Sequence, residues 1–257
     1  MAKWTAFPYA GEYEFDVASV KQKWSHLHAG DLEPVPKDAK VLDAWVLFHN
    51  GDFHRATEAG LKAGGGGITV ANKATSIYAT YLETKEKYKL DFFMEVAQRA
   101  EAQAVADPHC VNAYYWQAYA LGRYSQGTSV AKALAQGLGS KVKTALETAI
   151  KLQPKHADAH IALAAFHAEV IDKVGSLIGG MTYGAKKDTG LKLFQEALKL
   201  NPSSAIAMIE YANGMVMLEG DKKMKEATKL YERAAGTKPL DAMERLDVEM
   251  AKEELAD

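Results

Sequence analysis

The sequence predicts an all-α fold, an α-α superhelix of stacked helix pairs, and three observations support this prediction. Long segments rich in Ala, Leu, Lys and Glu, which lose little side-chain entropy in a helix, run between the prolines and the glycine clusters. Apolar residues recur along several of these segments with the helical period of about 3.6 residues. An alanine precedes a proline by five residues at Ala149 and Pro154, at Ala197 and Pro202, and at Ala234 and Pro239. Signals typical of strands are nearly absent.

The N-terminal segment, residues 1–40, is predicted to lie outside the helix pairs. Its apolar residues fall on one helical face, formed by Val17, Val20, Trp24 and Leu27. The following stretch, 30–36, contains one glycine and two prolines and ends that helix. Because the first pair of a helical array exposes apolar surface, we predict that residues 1–40 form a capping segment.

The next pairs are predicted from turn and aromatic patterns. Gly51, Asp52 and Phe53, followed by Ala56, have an order that resembles the turn inside a tetratricopeptide repeat. Four glycines at 64–67 then form a flexible connection before a helix that begins near Thr69. The aromatic-rich segment 113–124 predicts another first helix.

The segments that end at Pro154, Pro202 and Pro239 resemble the second helix and exit turn of a tetratricopeptide repeat. In that repeat a small alanine lets neighbouring helices approach closely, and the proline ends the helix. The residues after the first two prolines match the packing positions of the repeat's first helix: His160, Leu163, Ala164 and His167, and then Met208, Tyr211, Ala212 and Met215. The resemblance implies a fold of degenerate tetratricopeptide-like helix pairs.

The pairs are longer than the usual repeat. Successive prolines from Pro108 are separated by 46, 48 and 37 residues, whereas the usual period is about 34. The extra residues form glycine-bearing inserts at 125–139 and 175–187. Lengthened pairs that end in a charged helix at 240–255 resemble the helical domain of the regulator of microtubule dynamics family and the bacterial T-component proteins of certain solute transporters. We therefore predict that residues 41–257 form one repeat domain with a C-terminal capping helix.

Composition excludes several function classes. Basic and acidic residues are mixed along the chain, with a net charge of −2, so we predict no nucleic-acid binding. No apolar stretch reaches the length of about 18 residues that crosses a membrane, and the N terminus lacks the pattern of a secretory leader. The single cysteine, Cys110, fits a reducing compartment. These features predict a cytoplasmic protein without a membrane partner.

Three histidines, His156, His160 and His167, lie nearly on one helical face. Spacing of four residues can present two imidazoles to one metal ion. However, His160 and His167 also occupy packing positions of the repeat, and no His-Glu-x-x-His motif is present. We predict structural histidines, no metal and no cofactor, with metal binding as the alternative.

Two other features could suggest chemistry. His109 and Cys110 are adjacent in the chain, so their side chains do not face each other as a catalytic pair would. The glycines at 64–67 lack the preceding strand and the Gly-Lys-Ser/Thr ending of a phosphate-binding loop. No catalytic motif is found, and we predict that the protein is not an enzyme.

The predicted function is a non-catalytic scaffold or adaptor whose concave helical groove binds a protein or peptide. First helices line that groove, so their polar and aromatic residues are the candidates for binding. These are Asn72, Lys73, Tyr78, Tyr81, Asn112, Tyr115, Tyr119, Arg123 and Asn213. The alternative for the tyrosines is packing between helices. The alternative function is small-ligand binding in a pocket between the inserts and the aromatic first helices.

Overall fold

The computed structural model describes residues 4–256, except for the side chain of Leu134. Over this range the chain is helical, without a strand. Its helices are α1 Val17–Leu27, α2 Ala39–His49, α3 Phe53–Ala63, α4 Gly67–Tyr81, α5 Glu86–Ala106, α6 Val111–Gln126, α7 Val130–Ala135, α8 Leu138–Leu152, α9 Ala157–Tyr183, α10 Lys187–Leu200, α11 Ala205–Glu219, α12 Met224–Ala235 and α13 Ala242–Ala256, with a 3-10 turn at Asp221–Lys223. The predicted all-α class is confirmed. None of the helices in this range combines the length and the apolar composition that a membrane crossing requires.

Local sequence signals set the helix boundaries. Helix α1 begins at a capping box, in which Asp16 accepts from the Ser19 N–H and the Ser19 hydroxyl accepts from the Asp16 N–H. Asp52 caps α3, as the turn pattern predicts, by accepting from the Arg55 N–H at 3.3 Å. Helices α8, α10 and α12 end shortly before the three repeated prolines.

The chain divides into two compact units. The first contains residues 4–28, 33–145 and 241–243, and the second contains residues 29–32, 146–240 and 244–256. The division into a capping segment, 1–40, and a repeat domain, 41–257, stays a prediction.

In the first unit, α4 packs against α2, α3, α5 and α6. Its core is aromatic and includes Trp45, Phe48 and Tyr78, each almost fully buried. Helices α3 and α4 cross closely at Gly60 and Gly67, where a Cβ on either residue would collide with the backbone of the other. The last glycine of the 64–67 connection therefore begins α4 and allows this close crossing.

The second unit packs through alanines that alternate with larger apolar residues. Phe194, Ala197, Ala164 and Ala168 form one cluster between α9, α10 and α11. A second cluster joins α11, α12 and α13 and includes Ala212, Ala227, Ala234, Val248 and Ala251. Ala197 and Ala234 are completely buried, in agreement with the close helix approach expected from the repeat.

Both inserts contain helix. The first holds the end of α6 and the short helix α7. In the second, Gly175 interrupts α9 with a φ of 80°, and the chain folds back so that Gly179 meets Val170 and the Tyr183 ring lies 6.3 Å from that of Phe166. The inserts therefore lie between first and second helices, as the spacing of the prolines predicts.

The C-terminal helix begins two residues later than the predicted 240–255. The Leu240 N–H donates to Glu244 Oε2 at 2.7 Å, which places Leu240 before the first turn, and its side chain is exposed. The buried apolar residues of α13 are Ala242, Leu246, Val248 and Ala251, whereas Met243 and Met250 are only partly buried.

Candidate partner-binding site

Asn72, on α4, belongs to a polar network between α4 and α5. Arg99 Nε donates to Asn72 Oδ1 at 3.1 Å, and Arg99 also donates to Thr75 Oγ1 at 2.9 Å. Gln103 donates to Thr69 Oγ1 at 2.9 Å in the same network. Burial lowers the pKa of the Arg99 guanidinium. Asn72 is fully buried, so its observed role is to pair with Arg99 and align two helices.

Lys73 is buried between α4 and α2, with 2% of its surface exposed. Its Nζ lies 5.6 Å from the ring centroid of Trp45 and 5.2 Å from that of Phe48. Cation–π contacts of this kind offset part of the cost of burying an ammonium group. The side chain is enclosed by aromatic rings and does not face solvent in this conformation.

Tyr78 is buried near the end of α4, where its hydroxyl joins two chain segments. The hydroxyl donates to Glu83 Oε2 at 3.1 Å and accepts from the Thr5 N–H at 3.2 Å. Burial raises the pKa of Tyr78, and the carboxylate of Glu83 adds to the shift. The Trp4 ring stacks on the Tyr78 ring at a centroid distance of 3.9 Å. The Tyr78 ring is therefore already covered by an aromatic side chain of the same protein.

Two predicted residues near the start of α6 are also engaged in packing. Asn112 Nδ2 donates to Glu33 Oε2 at 2.6 Å. The Tyr115 ring meets the edge of Trp116 at 4.8 Å. Both residues are buried, which agrees with the packing alternative for this part of α6.

The remaining predicted residues of the first unit, Tyr81, Tyr119 and Arg123, are only partly buried. The hydroxyl of Tyr119 lies 2.8 Å from Thr80 Oγ1, a hydrogen bond that links α6 to α4. The Arg123 guanidinium lies 5.3 Å from the Tyr119 ring centroid. We call Thr80, Tyr81, Tyr119 and Arg123 the α4–α6 patch.

Asn213 lies on α11 in the second unit and is partly buried. Its Oδ1 accepts a short hydrogen bond from the Tyr231 hydroxyl on α12. Burial raises the pKa of Tyr231 to about 12, and the carboxylates of Glu254 and Glu210 add to the effect. This pair connects a first helix to its second helix.

The three histidines of the second unit bond to nearby backbone. His156 Nδ1 accepts from the Ala159 N–H at 3.0 Å and caps α9. His160 Nδ1 lies 2.9 Å from the His156 carbonyl, and His167 Nδ1 accepts from the Lys186 N–H at 3.1 Å. Within residues 4–256, no three His, Cys, Asp or Glu side chains group closely enough to hold a metal ion.

The second insert leaves its apolar side chains in solvent. Leu177, Ile178 and Met181 are exposed, Met181 by 82%. An open groove elsewhere in the second unit is lined by His160 and by α10 side chains that include Lys192 and Leu193. None of the nine predicted binding residues is among its lining residues.

Sequence reasoning missed the contribution of residues 4–15, which we call the N-terminal arm. Three of its aromatic residues hold it to the first unit: Trp4 on Tyr78, Phe7 against Phe53, and Phe15 beside His49. The arm has no helical or alternating periodicity, so its sequence pattern predicts no role beyond capping. Its signal is the density of aromatic residues at positions 4, 7, 9, 13 and 15.

A sequence profile of the regulator of microtubule dynamics protein 1-3 family matches residues 69–256, which is more than half of the chain. The chain belongs to this family. The family resemblance seen in the lengthened helix pairs is thereby confirmed. The N-terminal arm lies outside the matched range.

A crystal structure of a thermophilic tetratricopeptide repeat protein from Thermus thermophilus is similar to this chain. The TM-score is 0.58 at 14% sequence identity, over 83% of this chain and 97% of the other. At that identity the likeness establishes the fold alone, and it confirms the tetratricopeptide-like helix pairs. Comparison with curated proteins gives no significant sequence match.

Proposed function

We propose that this protein is a cytoplasmic, non-catalytic scaffold that binds a segment of a protein partner through its first helices. Tetratricopeptide-like folds generally serve protein interaction, and this fold-level analogy gives the class of function. The observation that carries the proposal is the α4–α6 patch, where predicted binding residues remain partly exposed on two first helices.

The patch is held in place before any partner arrives. The hydrogen bond between the Tyr119 and Thr80 hydroxyls fixes the tyrosine ring, and the Arg123 guanidinium lies over that ring. An ordered side chain loses less conformational entropy on binding, so more of the contact energy appears as affinity. Tyr and Arg are also enriched in protein interfaces. The patch suits a partner segment that places an apolar side chain on Tyr119 and an acidic or carbonyl oxygen near Arg123.

The groups most suited to catalysis have structural surroundings that disfavour reactivity. Burial raises the pKa of the Cys110 thiol, so the nucleophilic thiolate is disfavoured. His156 and His167 accept backbone hydrogen bonds through Nδ1. These side chains contribute to helix capping and packing.

Selection from a phage-displayed library of random peptides tests the proposal. We expect enriched peptides whose affinity for the full chain, measured by fluorescence anisotropy, falls about tenfold with Tyr119→Ala or Arg123→Ala, because each change removes an interface contact. Val105→Ala is the matched control, since Val105 is 78% exposed on α5. Absence of enriched peptides, or peptides that bind all variants equally, contradicts the proposal.

A further inference from the structure

The N-terminal arm is held like a bound peptide. Asn50, at the end of α2, accepts from the Phe15 N–H at 2.7 Å and donates to the Phe15 carbonyl at 3.0 Å. The Thr5 N–H donates to the Tyr78 hydroxyl. Contacts of this kind recognise a peptide backbone whatever its side chains are.

Aromatic anchors add side-chain selectivity to this backbone recognition. The Trp4 ring stacks on Tyr78, meets the edge of Phe92 at 5.3 Å and lies 5.1 Å from the His54 ring. We call His54, Tyr78 and Phe92 the aromatic shelf. A large flat ring gains both buried area and ring–ring attraction on such a surface.

A second anchor position lies three residues further along the arm. Phe7 is buried and its ring centroid lies 6.1 Å from that of Phe53. Gly51 makes this position possible, because its φ is 86° and a Cβ there would lie 2.5 Å from Phe7 Cδ1. The first unit thus accepts a Trp and, three residues later, a Phe.

The arm is more exposed than the helices that it covers. Between residues 4 and 15, Phe7 alone is buried, and Thr5, Ala6, Pro8, Ala10, Gly11, Glu12 and Glu14 are exposed. The arm also forms no helix or strand. Exposed segments outside helices and strands open at a lower free energy than the core.

We propose that the aromatic shelf and Asn50 form a second docking site, distinct from the α4–α6 patch, for a partner segment that has a Trp-x-x-Phe spacing and then turns, as the arm does at residues 8–12. The arm is the resident occupant that such a segment displaces. Because the arm is tethered beside the site, its effective concentration is of the order of millimolar, and a free segment binds the intact chain weakly. Loosening the arm raises the apparent affinity for a segment supplied in solution.

A synthetic peptide of residues 4–16 with a fluorescent label at its C terminus is the probe. Fluorescence anisotropy would compare its binding to the full wild-type chain and to the Trp4→Ala chain. We expect at least about tenfold tighter binding to Trp4→Ala, because the competing indole is gone. Equal binding to both chains overturns the proposal.

Four controls show where the peptide binds. Adding Phe92→Ala to the Trp4→Ala chain removes part of the shelf and is expected to weaken binding about tenfold, whereas adding Val105→Ala, on the same helix, leaves it unchanged. A peptide with Ala in place of Trp4 is expected not to bind. Tyr119→Ala is expected to leave binding of the 4–16 peptide unchanged, so failure here is distinguishable from failure of the α4–α6 patch.

Hydrogen exchange on the wild-type chain tests the proposal even if Trp4→Ala does not fold. We expect the Thr5 and Phe15 amides to exchange at least about a hundredfold faster than the interior amides of α4, through local release of the arm. If the arm amides exchange only with global unfolding, the arm is a fixed part of the core and the docking proposal is wrong.

Discussion

The two compact units of this protein use different side chains where their helices meet. In the first unit, α4 approaches α3 closely at Gly67, but it also contacts its neighbours through aromatic rings and polar groups such as Lys73 and the Arg99 network. In the second unit, small residues such as Ala197 and Ala234 fill the same kind of contact. One repeat pattern therefore supports two ways of packing helices. Side chains of the types found in binding sites can instead hold helices together.

The largest effect is expected when the buried pair between His49 on α2 and Asp241, the residue before α13, is broken. His49 Nδ1 lies 2.6 Å from Asp241 Oδ2, and both side chains are buried. Asp241→Ala leaves His49 without its charged partner and is expected to lower the unfolding free energy by about 3–5 kcal/mol. Urea denaturation measures this change, with Asp221→Ala at an exposed aspartate as the control. Equal stability of the two variants would show that polar pairing does not hold the first unit.

Overpacking tests the contrasting scheme of the second unit. Ala197→Leu adds volume where the side chain is fully buried, and is expected to lower the unfolding free energy by about 1–3 kcal/mol. Ala102→Leu, at an exposed position of α5, is expected to have little effect. If urea denaturation gives the same result for both variants, close helix approach through alanine is not required.

Removal of one polar partner tests the network of α4 and α5. Thr75→Val deletes the hydroxyl that accepts from Arg99 and donates to the Ala71 carbonyl at 2.8 Å. We expect a loss of about 1–2 kcal/mol in the unfolding free energy, because a buried donor loses its acceptor. Thr228→Val on exposed α12 surface is the matched control. A loss no larger than that of Thr228→Val would show that the hydrogen bond between Arg99 and Thr75 does not stabilise the first unit.

The smallest expected effect is a dependence on alkaline pH in the second unit. The pKa of Tyr231 in the folded chain is about 12, above its ordinary value of 10.0. Folding therefore favours the neutral phenol. The contribution of Tyr231 to the unfolding free energy is fully present below pH 10 and is lost as the pH rises through about 12. Urea denaturation at several pH values checks this, and Tyr231→Phe is expected to flatten the dependence. A wild-type profile identical to that of Tyr231→Phe would contradict the assignment.

Sequence periodicity predicted the second unit more completely than the first. The alanine–proline spacing located the ends of α8, α10 and α12 because helix termination by proline and close packing at alanine are local effects. The closeness of Gly60 to Gly67, and the reversal of the chain at Gly175, depend on tertiary contacts that periodicity does not contain.

The candidate site was only partly predictable for the same reason. Asn72 and Lys73 have the residue types of a binding surface, but their partners Arg99 and Trp45 lie more than 25 residues away in the chain. Whether such a side chain faces a ligand or another helix is therefore decided by non-local packing. Tyr119 and Arg123 stay partly exposed in the C-terminal half of α6, and their role in binding stays a prediction.

Hydrogen exchange of the full chain, with and without a saturating peptide from the phage selection, tests the central claim most directly. We expect the peptide to slow exchange around Thr80 at the C-terminal end of α4 and around Tyr119 in α6, and to leave α12 unchanged. Protection confined to the second unit, or no change around Thr80 and Tyr119, would contradict the proposed binding role of the α4–α6 patch.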